Sequence, residues 1–125
     1  MVIVEKLSAV ASVLLEAAKA EGVLSFQGFH ALFDADVEGC NKYDTLEAAS
    51  RALAPSAQAI YSAVLAKKNT GFPGSGFYDI FNNVHHDEFF NVAGHNDIYN
   101  LTDEDRRHIA EIERSRVYEH ARRHF

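Results

Sequence analysis

The sequence holds one cysteine, Cys40, so no disulfide can close within the chain. A lone thiol fits a reducing, cytoplasmic setting better than a secreted one. Long apolar runs are absent as well, since no segment reaches the roughly 20 apolar residues that a membrane-crossing helix needs. Apolar–polar alternation of the kind strands show never persists. Internal repeats, low-complexity tracts and dividing linkers are missing too. Residues 1–125 are therefore expected to form one globular domain, and that length suffices to bury a core without metals or disulfides. Positive charge is not in surplus either: the formal net charge is -6. Residues 1–102 carry six basic against twelve acidic side chains, whereas residues 103–125 carry six of each and three histidines. An acidic body disfavours binding along a phosphate backbone, which requires a positive field.

What is present is helical patterning. The opening MVIVEKLSAVASVLLEAAKA lacks a basic region before its apolar part and is interrupted by Glu5, Lys6, Glu16 and Lys19. It reads as an amphipathic helix and not as a signal peptide, with Ile3, Leu7, Val10, Leu14 and Ala17 on one face and an end near Gly22. Ser25 is placed to cap a short helix carrying Phe26, Phe29, His30 and Phe33. After the polar stretch DADVEGCNKYD come two helical pieces, TLEAASRALA and PSAQAIYSAVLAKK, divided at Pro55. NTGFPGSG is the most loop-like segment. A helix is expected from Phe77 to Gly94, with weak helix formers Asn82 and Asn83 marking a break. Thr102 with Asp105 three residues on opens a last helix that extends almost to Phe125. The fold class expected is all-α: an irregular bundle of five or six helices.

The most unusual stretch is HHDEFFNVAGHND, residues 85–97. On a continuous helix, Phe77, Phe81, Val84, Phe89 and Val92 form one face, and His85 and Glu88 project into its middle. A histidine and a carboxylate at this spacing can share a metal, a ligand or a proton. His95 and Asp97, just past Gly94, are placed to fold back and complete such a site, as is His30 from another helix, though nothing in the spacing requires it. The helical zinc pattern H-E-x-x-H is absent, however, and so are the paired E-x-x-H motifs of di-iron bundles. The plainer account is a structural pair.

Three further patterns carry weaker readings. FDADVEGCNKYDT begins like a calcium-binding EF-hand loop, with Asp34, Asp36, Glu38 and Gly39 in register, but Thr45 stands where the bidentate glutamate belongs. Residues 45–68 look like a helix-turn-helix, in which Gln58, Tyr61 and Ser62 would face a groove while Lys67 and Lys68 meet phosphates. Its turn lacks glycine and its second helix lacks arginine, so two ordinary core helices are the bland alternative. The glycine-rich loop before Phe77 has no P-loop lysine after it, although Phe72, Phe77 and Tyr78 are placed to line a ligand groove.

The leading expectation is a small cytoplasmic interaction or regulatory protein that acts by macromolecular binding, through a protein partner or self-association, with no cofactor. The near-heptad seam of the first helix and the uneven charge are its positive support. A DNA-binding regulator using residues 45–68 ranks second. A metal-dependent enzyme with a divalent ion at His85, Glu88 and His95 ranks third.

Overall fold

The computed structural model describes residues 1–125, of which 66% are helical, and this settles the all-α class. Six helices appear: α1 (Leu7–Lys19), α2 (Phe26–His30), α3 (Gly39–Leu53), α4 (Ser75–Val84), α5 (His86–Ala93) and α6 (Asp103–His124). Two strands were not expected. β1 (Leu24–Ser25) and β2 (Leu65–Ala66) pair in parallel, Leu24 against Leu65 and Ser25 against Ala66. At two residues each they form a clasp, not a layer of the core.

α1 buries Val10, Leu14 and Ala18, one residue per turn, against α3 and α6. The seam considered for self-association is thus used up inside the domain. The left-handed position that ends the helix falls at Glu21, φ 53°, one residue before the expected glycine. The turn closes through two bonds, from Glu21 N–H to the Ala18 carbonyl and from Gly22 N–H to that of Ala17. This is a Schellman ending built on a glutamate. Ser25 does cap α2, its Oγ accepting from Gly28 N–H at 3.0 Å.

α3 starts six residues before TLEAASRALA, at Gly39. The second half of the EF-hand-like segment is therefore helix, and Thr45 turns its hydroxyl to the Asn41 carbonyl one turn back. A loop that coils into a helix at its sixth position cannot wrap a calcium ion.

Residues 55–66 depart most from expectation. After Pro55 the chain makes a turn, one 3-10 turn at Tyr61–Val64, and then β2. Every residue from Ala59 to Ala66 is buried. A helix on a surface buries one face, whereas this segment threads between α1, α3 and α6 and is covered on all sides. That environment favours an extended or tightly wound backbone whose polar groups find partners elsewhere. Arg114 supplies several of them. From α6 its guanidinium donates to the carbonyls of Ala63, Leu65 and Gly71 at 2.7–3.1 Å.

The helix expected over residues 77–94 breaks at His85, not at Asn82 and Asn83. His85 leaves helical geometry at φ -130°, ψ 51° and separates α4 from α5. Asn82 instead locks the following turn by exchanging side-chain bonds with Asn96. Gly94, at φ 79°, ends α5 in the left-handed position that glycine adopts without penalty. α6 opens with the expected capping box of Thr102 and Asp105. Its buried stripe runs Ile109, Glu113, Val117, Ala121, and it joins two apolar clusters: one around α1, α3 and the thread, the other around α4, α5 and Ile109. No helix is long and apolar enough to cross a membrane.

Candidate functional site

The structure brings His85 and Glu88 near each other and adds two residues from α6. Glu113 is fully buried in the middle of the α6 stripe. Its Oε2 accepts from Ile60 N–H at 2.8 Å and its Oε1 from Arg116 at 2.8 Å. Arg116 reaches on to both carboxylate oxygens of Glu88, so one guanidinium joins two carboxylates. His85 lies beside this chain, its Nε2 3.8 Å from Glu113 Oε1 and without a hydrogen-bond partner. Burial, and then the Arg116 charge, hold the His85 pKa down.

His95 is not part of this group. Its Nδ1 accepts from Asp97 N–H, and its ring packs against Phe89. No three His, Cys, Asp or Glu side chains converge closely enough to share an ion. Arg116 stands between the two carboxylates where a cation would be needed, one guanidinium bridging two acids. Glu113 carries a sequence signal of its own: it falls at every fourth residue among Ile109, Val117 and Ala121 on an otherwise apolar stripe.

The residues considered for nucleic-acid contact separate. Gln58, Lys67 and Lys68 are exposed, while Tyr61 and Ser62 are buried. Tyr61 bonds through its hydroxyl to His120 Nδ1 at 2.8 Å, and burial pushes its pKa up to about 12. A segment without its second helix, and with two of its three reading residues inside the core, does not have helix-turn-helix geometry.

Ser62 leads to a different site. Its backbone N–H donates to Ser50 Oγ on α3 at 3.1 Å, which fixes the thread against that helix. Glu47 lies one turn earlier on the same helix. Together Glu47 and Ser62 line a cleft of about 360 Å³, within the range of small-molecule sites. α3 contributes Tyr43, Leu46 and Glu47 to it, and the thread contributes Ser62, Leu65 and Lys67. Phe26 of α2 and Phe77 of α4 add aromatic walls, and Gly74, Ser75 and Gly76 close one end. The loop-like glycine segment is thus a wall of the cleft. Phe77 lines it as well, while Phe72 and Tyr78 line a neighbouring cleft.

Two polar atoms in the cleft lack partners. Glu47 Oε2 and Ser62 Oγ are each buried without a hydrogen bond. Burial raises the Glu47 carboxyl to about 7, against the opposing Arg51 charge and hydrogen bonding from the Ser62 hydroxyl beside it, so the two groups interact with each other although neither of these atoms completes a well-formed bond. The Lys67 ammonium makes no ion pair and lies over the Phe26 ring, 5.9 Å from its centroid. Lys67 also lines the neighbouring cleft, where several of the other polar groups are paired. There the Tyr78 hydroxyl donates to the Arg106 carbonyl, Thr70 Oγ1 accepts from Phe72 N–H, and Arg106 pairs with Asp103.

The fold and the cleft define the class: an all-α domain with a ligand-sized, partly aromatic cleft whose deepest polar atoms are unpaired. No protein-family model matches the chain, and no curated protein or solved structure matches it either.

Proposed function

We propose that the chain is a small interaction or regulatory protein that works by binding, and that the cleft between α3, β2 and α4 is its recognition site. The observation that carries this reading is the pair of buried, unpartnered atoms, Glu47 Oε2 and Ser62 Oγ, on one cleft wall. Leaving such groups unsatisfied costs about 1–3 kcal/mol each, a cost that a ligand supplying hydrogen-bond donors would remove. Binding is favoured over nucleophilic catalysis because no histidine lines the cleft to activate the Ser62 hydroxyl. The metal-enzyme reading has less support, since Arg116 occupies the carboxylates that an ion would use. The test is an NMR titration of ¹⁵N-labelled protein with a mixture of small amines, acids and amides. Shifts gathered at Glu47, Ser62 and Ser75–Phe77 are the expected result. Shifts confined to other surfaces, or none, would overturn the reading.

A further inference from the structure

The cleft is lined by an acidic and a basic side chain, Glu47 and Lys67, which form no ion pair with each other. Glu47 and Ser62 offer oxygen acceptors at its base. Lys67 lines the same cleft, exposed and without an ion-pair partner, with its ammonium over the Phe26 ring. Beside Lys67 the ten-residue helix α4 begins at Gly74, and no side chain caps it. The first N–H groups of a helix have no intrahelical acceptors and favour a negative group. Phe26, Tyr43 and Phe77 supply flat apolar surface between the two ends.

Resting on the cleft reading above, we infer that the ligand is a small zwitterion: a primary ammonium or guanidinium at one end, a carboxylate or phosphate at the other, and a short flat or apolar body between them. The ammonium donates to Glu47 Oε2 and Ser62 Oγ, neither of which completes a well-formed hydrogen bond within the protein. The acidic end meets Lys67 and the opening turn of α4. A simple cation would satisfy Glu47 but be repelled by Lys67, and a simple anion would leave both buried acceptors unpaired. Only a molecule with both groups answers each wall.

The recognition carries a proton signature. Glu47 faces Tyr43, Asp44 and Arg51 on its own helix, and Ser62 and Lys67 on the thread; with the pocket empty, burial holds much of its carboxyl protonated near neutrality. An arriving ammonium stabilises the carboxylate, so the carboxyl releases its proton to solvent. Affinity for the zwitterion should therefore fall as pH drops from about 7 towards 5.

A matched set of probes separates the parts: 4-(aminomethyl)benzoate carries both groups, benzylamine lacks the acid, and benzoate lacks the amine. NMR titrations should show the zwitterion binding at the cleft about tenfold or more tighter than either parent, a difference of about 1.4 kcal/mol. Glu47→Gln, an isosteric change that keeps the fold, should erase the advantage over benzoate and the pH dependence. Lys67→Met, at an exposed side chain, should erase the advantage over benzylamine and tighten benzylamine itself, which no longer meets a like charge. If the zwitterion binds no better than benzoate, or Glu47→Gln leaves it unaffected, the inference is overturned while other fragments at the cleft would keep the binding reading. If neither these probes nor the wider mixture shifts cleft residues, both fall together.

Discussion

Glu113 and Glu47 are two buried carboxyls, each raised to about 7 by burial, and their surroundings treat them in opposite ways. Glu113 has a backbone N–H on one oxygen and a guanidinium on the other, so its site is closed. Glu47 has an oxygen with nothing on it, in a cleft open to solvent-sized molecules. Sequence alone makes the α5 region the more conspicuous, because it concentrates histidines and acids. The structure reverses the ranking. Apart from His85 Nε2, the first group is held together by its own charges, whereas Glu47 Oε2 and Ser62 Oγ complete no well-formed bond, and the proposed binding site rests on that difference.

The contrast breaks most sharply at Glu113. Glu113→Ala strands the Ile60 N–H and removes one of the two carboxylates on Arg116, so chemical denaturation should show a loss of about 3–5 kcal/mol. Glu47→Gln should act in the other direction. A folded-state pKa raised above the unfolded value means the native protein holds its proton more tightly. Stability is then fully present below about 4.5 and is lost as pH rises towards and past 7. The variant cannot ionise there, and it should be more stable than the parent by about 2 kcal/mol at pH 8 and equal to it at pH 4. Thermal melts across this range test it, and a parent whose stability is flat between pH 5 and 8 would remove the premise. Glu88→Gln leaves Arg116 its bond to Glu113, and Glu88 itself is partly exposed, so denaturation should show a loss of about 1 kcal/mol or less. The smallest effect belongs to Glu21→Gly. It relieves a left-handed glutamate and should gain about 1 kcal/mol in the same measurement, less whatever the exposed pair with Arg122 contributes.

Much of the helical plan is legible in the sequence because local chemistry specifies it. Thr102 with Asp105, Ser25 before Phe26, and Gly94 after α5 each act through neighbours three or four residues away, and each marks the boundary expected of it. Residues 55–66 escape such a reading for the opposite reason. PSAQAIYSAVLAKK has good helix formers, yet it passes through the middle of the domain, where burial on all sides and the Arg114 bonds to its carbonyls outweigh propensity. The break at His85 is displaced similarly: the weak helix formers Asn82 and Asn83 stay helical because Asn82 is held by Asn96.

The candidate site is scarcely legible. Spacing marks Phe77 and the glycine loop as the side of a groove, but Glu47 sits in an unremarkable alanine-rich helix, and helical periodicity puts Ser62 on a groove-facing surface. Their meeting depends on Ser50 fixing the thread to α3. The amino-acid sequence by itself determined the all-α class, the caps and the apolar stripes, since these follow from spacings within a few residues. Which charges cancel and which remain free was decided only by tertiary structure. Partners such as Glu113 and Ile60, or Arg114 and Ala63, lie about fifty positions apart, and only folding brings their groups within hydrogen-bond range.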